Sequence, residues 1–260
     1  MKMFEVGGCV RDEILGVPSK DIDFTVVLED GDFQMGATAF DTMVLRLERM
    51  GFRIFLKTPE FLTVRAQFPR VKRDNFPGSA MKDQGLTADF VLARSETGYA
   101  DGRRPDKVIP GTLEDDLKRR DFTMNAIAKG PDPEGRQSSV YIDPFNGRAD
   151  IANQIIRAVG DPFERITEDA LRAVRAVRFA VTKGFDIDPD LAWVINHNEV
   201  ADLIVNKISD ERIQVELSKM FRFDTLDSLQ VLRDYPNLTD AMFAGKVSLD
   251  ATLKTKGRGK

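Results

Sequence analysis

A double glycine between a short strand and a helix is the feature that most constrains the fold of this chain. Residues 3–6 predict a strand, and Gly7 and Gly8 follow it directly. Glycine allows a tight turn and lets the backbone lie close to a ligand. A helix that begins after the turn directs free backbone N–H groups and the positive end of its dipole toward it, an arrangement that suits a phosphate. The sequence therefore predicts a strand, a phosphate-binding turn and a helix.

Two aspartates follow this turn at the start of a second predicted strand. Asp21 and Asp23 precede an apolar run that ends at Leu28, and the two-residue period of a strand places both carboxylates on one face. Carboxylate oxygens beside a phosphate are suitable ligands for two Mg²⁺ ions, which activate a nucleophile and stabilise a leaving pyrophosphate. Each motif alone is common in turns and strand edges. Their combination indicates phosphoryl or nucleotidyl transfer, with Asp21 and Asp23 as catalytic metal ligands.

Composition excludes several other classes of protein. The 260 residues include one histidine, His197, and one cysteine, Cys9. These counts exclude a zinc site and a metal-dependent His-Asp phosphohydrolase, and they argue against a Ser-His-Asp triad. A single cysteine also excludes an internal disulfide and is typical of the reducing cytoplasm. We expect His197 to be a surface residue and Cys9 to fill space in the glycine turn.

Hydropathy and charge predict a cytoplasmic protein that does not span a membrane. The sequence has no run of about 18 apolar residues, and charged residues and glycines interrupt its N-terminal region, unlike a signal peptide. The net charge is −4, which is unusual for a protein that binds RNA. Arginines nevertheless cluster locally, and a basic cleft in an acidic protein can bind a polyanion with salt-sensitive affinity.

The order of predicted elements gives an α/β first half and an all-helical second half. Thr112 and Asp115 form a predicted cap for a helix that carries residues 119–128, and no strand is expected after about residue 150. The stretch 69–85 is polar and is assigned no role. The predicted domains are 1–148, 149–223 and a short helical remnant with a basic tail, 224–260. Predicted strands span 3–6, 22–28, 53–56, 62–67, 88–94 and 140–142, and predicted helices span 36–50, 168–183, 189–201, 210–223 and 226–234.

Further motifs follow the glycine turn and the aspartate pair in a defined order. They are DLKRRDFTMNA at 116–126, DPFNG at 143–147, DP at 161–162 and EDALRAVRAVRFA at 168–180. Together these blocks resemble the class II nucleotidyltransferases, the family of tRNA CCA-adding enzymes and bacterial poly(A) polymerases. The resemblance covers residues 1 to about 220. It implies an α+β nucleotidyltransferase head, with a mixed or antiparallel sheet and flanking helices, followed by an all-α neck.

The resemblance also implies an activity and a set of head residues. The expected reaction is Mg²⁺-dependent, template-independent addition of C and A from CTP and ATP to the 3′ end of tRNA. Gly7, Gly8 and Arg11 would lie near the triphosphate. Asp89, on a neighbouring strand, would complete the carboxylates and help to deprotonate the RNA 3′-hydroxyl. The alternative for Asp89 is an acid at a strand edge.

The block at 116–126 would contact ribose and phosphates, chiefly through Arg120. On one predicted helix, Arg120 and Asn125 lie roughly 140° apart, so both cannot face one ligand squarely. The resemblance assigns Asp121 and Asn125 to the nucleotide site. The alternative is that they brace the loop between the head and the helices.

The block at 168–180 would read the base. Asp169 and Arg172 are three residues apart on a predicted helix and would be neighbours on one face. A carboxylate accepts from an exocyclic amine and a guanidinium donates, so the pair could select C and A over G and U. The alternative is an intrahelical ion pair of about 0.3 kcal/mol. Arg175 could reach phosphates, and Arg178, about 180° from Asp169 on the wheel, is structural by geometry and a nucleotide contact by resemblance.

Three functional hypotheses stay open. The first is a CCA-adding or CCA-repairing enzyme, and the second is a poly(A) polymerase or an enzyme that adds only C or only A. The third, a non-catalytic RNA-binding relic, is disfavoured because the motif carboxylates and arginines are present. Residues 210–217 match the neck helices of the family and predict scaffolding ion pairs. Family members are usually longer, so we expect a short form without body and tail domains, which would bind the acceptor end alone, form a homodimer or recruit a helper partner.

Overall fold

The structure is a computed structural model that describes residues 1–19, 21–33, 36–69, 86–98, 107–132 and 139–249. Contacts divide it into two compact units. The first comprises Met1–Thr97 and Lys107–Arg148, and the second comprises Gly98–Asp106 and Ala149–Lys260. Nearly all of the unassigned stretch 69–85, and most of the basic tail, lie outside the described residues. The predicted fold class, an α+β head followed by a helical region, is confirmed.

The first unit is built on a seven-stranded mixed sheet. Its strands, with those of a separate two-stranded sheet, are β1 (Lys2–Val6), β2 (Asp23–Val27), β3 (Arg53–Thr58), β4 (Thr63–Gln67), β5 (Thr87–Leu92), β6 (Arg94–Thr97), β7 (Lys107–Pro110), β8 (Ala128–Gly130) and β9 (Val140–Ile142). The order in the large sheet is β3-β4-β5-β2-β1-β8-β9, and β6 pairs with β7. Strands β2 and β5 are parallel, and the other neighbours are antiparallel.

Helices and aromatic packing support this sheet. The helices of the first unit are α1 (Gly8–Ile14), α2 (Ala39–Arg49) and α3 (Leu113–Lys118), and α4 (Gly147–Ala152) lies at the boundary. Helix α2 begins at Thr38, whose side chain accepts a hydrogen bond from the backbone of Asp41. In the core, the Phe24 and Phe90 rings stack with centroids 5.1 Å apart, and Phe52 meets Phe90 edge-on at 5.0 Å. This apolar core fixes the strands that carry the candidate site.

The prediction of one helix through residues 119–128 is wrong. Thr112 caps α3 as predicted, but the helix ends at Lys118. Phe122 is extended and fully buried, and residues 123–125 form a single 3₁₀ turn before β8. The carboxylate of Asp121 accepts from the Phe122 backbone and from Asn125. Local side-chain hydrogen bonds of this kind compete with helix formation.

The second unit is mainly helical, with two corrections to the prediction. Two short parallel strands, β10 (Ile155–Ile156) and β11 (Asp186–Ile187), occur where none was expected. The predicted helices 168–183 and 189–201 are each interrupted, at Asp169 and at Asn196. The helices are α5 (Pro162–Glu168), α6 (Leu171–Lys183), α7 (Pro189–Ile195), α8 (Asn198–Lys207), α9 (Asp210–Phe223), α10 (Thr225–Arg233) and α11 (Pro236–Phe243).

Helix α9 matches its prediction residue for residue and packs against α6. Helices α10 and α11 contact the same bundle, so the contacts draw no boundary at residue 223 and the three-part division stays a prediction. Among the described residues, no helix is long and apolar enough to span a membrane.

Candidate functional site

Three aspartates predicted from the sequence lie close together on the large sheet. Asp23 opens β2 and is the register partner of Asp89 on the parallel strand β5, so both side chains point to the same face. Asp21 lies two residues before the start of β2 and is exposed. Burial raises the pKa of Asp23, and the charges of Asp89 and Asp21 raise it further, against the opposing effects of Arg120 and Arg65. The carboxylates of Asp21 and Asp89 therefore lie close enough to Asp23 to affect its pKa.

The carboxylate of Asp89 forms an ion pair with Arg65, a residue that the sequence analysis did not single out. Arg65, on β4, is its antiparallel register partner. The guanidinium donates Nε to Oδ1 and Nη2 to Oδ2, each at 2.7 Å. Such a bidentate pair uses both carboxylate oxygens. The alternating pattern of β4 could have indicated that Arg65 faces outward, but not that it faces Asp89.

The donors of this cluster suit a hard divalent cation, but they do not form a preassembled cage. All three candidate ligands are carboxylates, which Mg²⁺ prefers, and the raised pKa of Asp23 marks a place where a cation would be favoured. Within the described part of the chain, no group of three or more His, Cys, Asp or Glu side chains is arranged to hold a metal. The carboxylate ligands fit Mg²⁺. For Asp89 to bind the ion, however, at least one of its hydrogen bonds to Arg65 would have to break.

The glycine turn lies under Arg120. Gly7 has φ of 76° and ends the strand before α1, and a Cβ at this position would lie 2.7 Å from Arg120 Nη1. The positive φ favours glycine, and a Cβ here would also displace the Arg120 guanidinium. The turn and the guanidinium are thus brought together, and the phosphate contacts predicted for them stay a prediction.

The buried carboxylate that holds Arg120 was missed by the sequence reasoning. Asp116 accepts from Thr25 Oγ1 at 2.7 Å, from Arg119 Nη2 at 2.6 Å and from Arg120 Nη2 at 3.0 Å. Burial alone would raise the pKa of Asp116, but the two guanidiniums and the Thr25 hydroxyl outweigh it and lower the pKa to about 2. Its place three and four residues before the arginines was the available signal.

Arg11, Asp121 and Asn125 form one hydrogen-bonded group. Arg11 is buried and donates Nη1 to Asn125 Oδ1 at 2.6 Å and Nη2 to Asp12 at 2.8 Å. Asn125 in turn donates to Asp121 at 2.9 Å. These contacts brace the segment after α3 against α1, and the nucleotide contacts predicted for the three residues stay predictions. Cys9, beside them, is buried with its pKa raised to about 11 by burial.

The base-reading pair is arranged differently from the prediction. Asp169 and Arg172 do not share a helix, because Asp169 is extended and separates α5 from α6. Its Oδ1 accepts from the Leu171 backbone, and its Oδ2 accepts from Arg212 Nη2 at 2.8 Å. Arg172 Nη1 donates to Glu168 Oε2 at 2.7 Å. Each member is therefore held by a different ion-pair partner, and the role in base recognition stays a prediction.

Arg175 and Arg178 face helix α9. The Arg178 guanidinium pairs with Glu216 and lies 3.8 Å from the Phe179 ring centroid, and Arg175 lies 5.5 Å from the same ring. Burial would raise the pKa of Glu216, but Arg178, Arg175 and Lys219 outweigh it and lower the pKa. The scaffolding ion pairs predicted for residues 210–217 are confirmed by this pair and by Arg212 with Asp169.

His197 lies at the surface, as predicted, and is half-buried there. Its Nδ1 accepts from the Glu199 backbone at the start of α8, and its ring lies 5.0 Å from that of Trp193. It therefore serves as a helix cap within the second unit.

Comparison with known proteins identifies similar chains in one family. The family described as the poly(A) polymerase head domain matches residues 3–157. A CCA-adding enzyme of Limosilactobacillus fermentum is 36% identical over 217 residues, which cover 83% of this chain and 44% of the relative. That of Levilactobacillus brevis is 38% identical over 218 residues, which cover 83% and 45%. The chain thus spans about half the length of the curated relatives it matches.

The solved structures that this chain resembles include enzymes of the same kind. The crystal structure of the Bacillus stearothermophilus CCA-adding enzyme in complex with CTP has a TM-score of 0.66 and 32% identity, over 91% of this chain and 48% of that one. A tRNA nucleotidyltransferase complexed with a primer tRNA and an incoming ATP analogue has a TM-score of 0.67 and 27% identity, over 94% and 60%. The similarity therefore extends through both units of the chain.

Proposed function

Since this chain belongs to the nucleotidyltransferase family of the poly(A) polymerase head domain, which it shares with the CCA-adding enzymes, we propose that it adds nucleotides to the 3′ end of RNA without a template. The proposed acceptor is the 3′ end of tRNA, and the proposed substrates are CTP and ATP. The observation that carries the proposal is the register pairing of Asp23 with Asp89 on one sheet face, where burial and, to a smaller extent, the neighbouring acids raise the pKa of Asp23.

The proposed reaction joins the RNA 3′ oxygen to the α-phosphorus of the nucleotide. The bond between the α- and β-phosphates breaks, and pyrophosphate leaves. Asp89 would accept the proton of the 3′-hydroxyl, while Arg120 and the Gly7 turn would hold the phosphates. Asp21 and Asp23 would bind Mg²⁺, whose chemistry in such a site is to lower the pKa of the attacking hydroxyl and to neutralise charge on the leaving group.

Nucleotide choice is assigned to the second unit. Asp169 would accept from the exocyclic amine that cytosine and adenine share, and Arg172 would donate to a ring acceptor. Both side chains are oriented by ion pairs, with Arg212 and Glu168 respectively. A held side chain loses less conformational freedom when it binds a ligand. This arrangement supports selection by the protein itself.

The test is incorporation of each of the four labelled nucleoside triphosphates, with Mg²⁺, onto tRNAs that lack CCA, CA or A and onto an oligo(A) primer. Ordered addition of C, C and A is expected. Runs of A on any primer would instead identify the alternative, a poly(A) polymerase, and addition of C alone or A alone would identify a partial enzyme. No incorporation on any acceptor would support the non-catalytic relic and contradict the proposal.

A further inference from the structure

The Arg65–Asp89 pair links strand β4 to the candidate carboxylates. Arg65 lies on β4 and Asp89 on β5, and Asp89 is also the register partner of Asp23 on β2. Residues paired in this way project from the same face of a sheet. The Arg65 side chain is 57% exposed, whereas that of Asp89 is 27% exposed. The guanidinium therefore reaches inward from solvent to a carboxylate of the cluster.

Charge explains why this pair forms. Asp21, Asp23 and Asp89 bring three negative charges together; burial raises the pKa of Asp23, and the charges of Asp89 and Asp21 raise it further. Arg65 acts on Asp23 in the opposite direction. In the absence of a cation, a guanidinium at this position offsets the mutual repulsion of the carboxylates. It occupies the same carboxylate oxygens that a divalent cation would use.

We propose that Arg65 is a positioning residue that holds Asp89 while no divalent cation is bound and releases it when a cation enters. The pair then sets the affinity of the site for metal and the availability of Asp89. The inference rests on the proposed function, in that it takes Asp21 and Asp23 as metal ligands, and it adds one oxygen of Asp89 to them. The cation and the guanidinium are competitors, because both carry positive charge and both require the oxygens of Asp89.

The experiment is a titration of the full chain with Mn²⁺, without nucleotide or RNA, in which free Mn²⁺ is measured by electron paramagnetic resonance. Arg65→Ala should bind Mn²⁺ more tightly than the unmodified chain, by up to about fivefold, which corresponds to the upper range for an exposed ion pair. Arg65→Lys keeps the charge but cannot form the bidentate pair. It should therefore also bind Mn²⁺ more tightly than the unmodified chain, by a smaller factor. A melting curve of each variant checks that the fold is kept.

A matched control separates this competition from a general effect of charge. Arg53, on β3, is exposed and lies 5.5 Å from the Phe55 ring centroid. Arg53→Ala should leave Mn²⁺ affinity unchanged. If Arg65→Lys binds Mn²⁺ as the unmodified chain does, the bidentate pair does not compete with metal and the inference is wrong.

The Asp23→Asn variant distinguishes this failure from failure of the proposed function. Weakened Mn²⁺ binding by Asp23→Asn, together with unchanged binding by both Arg65 variants, would retain the metal ligands and reject the role of Arg65. Unchanged binding by Asp23→Asn would reject the metal ligands themselves, and the role of Arg65 with them.

Discussion

At the scale of single residues, the candidate site is a set of carboxylates whose charges are only partly offset. Asp23 is half-buried next to two other acids, and its pKa is raised as a result. Asp116, by contrast, is fully buried between two guanidiniums and has its pKa lowered. The same side-chain type is thus used for two purposes. An acid whose negative charge is only partly offset by its neighbours suits cation binding. An acid whose charge is fully offset by two guanidiniums suits a structural role.

The first prediction concerns Asp23. Asp23→Asn should reduce nucleotide incorporation by at least about a hundredfold, the scale on which loss of one charge-stabilising group acts. It should not lower the melting temperature, since a neutral amide avoids the burial and the repulsion that raise the pKa of this carboxyl. Asp30→Asn, at an exposed acid of the same unit, is the control and should leave both quantities unchanged. Retained activity in Asp23→Asn would contradict the assignment.

The second prediction concerns Asp116 and pH. Its pKa is about 2 in the folded protein and about 3.9 in an unfolded chain. Its ion pairs therefore stabilise the fold fully above about pH 4, and this contribution is lost as pH falls toward 2. Asp116→Asn should lower the free energy of unfolding at pH 7 by about 3 kcal/mol, measured by urea denaturation. The variant should also show a shallower loss of stability between pH 4 and 2, and an unchanged slope would contradict the role of Asp116.

At the scale of elements, local periodicity predicts regular segments and fails where a side chain bonds to a distant partner. Strand β9 and helix α9 have the predicted bounds, because their apolar spacing is regular. The break at Asp169 depends on Arg212, 43 residues further along the chain. The turn after α3 depends on Asp121 and its bonds to nearby groups. Asp21 and Asp23 were predicted from spacing and Asp89 from the family resemblance, whereas Arg65 required the pairing of β4 with β5.

The third prediction concerns strands β1 and β8. Glu5 on β1 is 3% exposed and is the register partner of Lys129 on β8. Burial raises the pKa of Glu5 to about 7; Lys129 opposes this shift, and Glu13 adds to it. Because the folded state holds its proton to higher pH than the unfolded chain does, stability should fall as pH rises from about 4.5 to 7. Glu5→Gln should remove this fall and raise the free energy of unfolding at pH 8 by about 3 kcal/mol.

The control for this prediction is Glu13→Gln. Glu13 pairs with Lys129 and its side chain is 30% exposed, so this variant should not remove the fall in stability between pH 4.5 and 7. Urea denaturation at several pH values measures both variants. A Glu5→Gln protein that is no more stable at pH 8 than the unmodified chain would show that Glu5 is not held in its protonated form.

At the scale of the whole molecule, the two units carry different parts of the proposed reaction. The carboxylate cluster belongs to the first unit and Asp169 with Arg172 to the second. In each unit a candidate acid is paired with an arginine, Asp89 with Arg65 and Asp169 with Arg212. On the proposed roles, a cation would release Asp89 from Arg65, whereas Arg212 would keep Asp169 in position for the base. The net charge is −4, so contacts with RNA would depend on local clusters of arginine. RNA affinity should therefore be strongly reduced by salt.

The last prediction is that metal binding by the first unit and nucleotide selection by the second unit can be separated by mutation. Arg172→Ala should lower the discrimination of CTP and ATP against GTP and UTP by about 10- to 100-fold, since one directed base contact is worth roughly 1–3 kcal/mol, while Mn²⁺ affinity stays unchanged. Asp23→Asn should weaken Mn²⁺ binding without altering the relative binding of the four nucleotides. Arg233→Ala, at an arginine whose side chain is 81% exposed in the same unit as Arg172, should change neither. Unchanged selectivity in Arg172→Ala would mean that the base is not read by this residue, and a parallel loss of Mn²⁺ affinity would mean that the two units do not act separately.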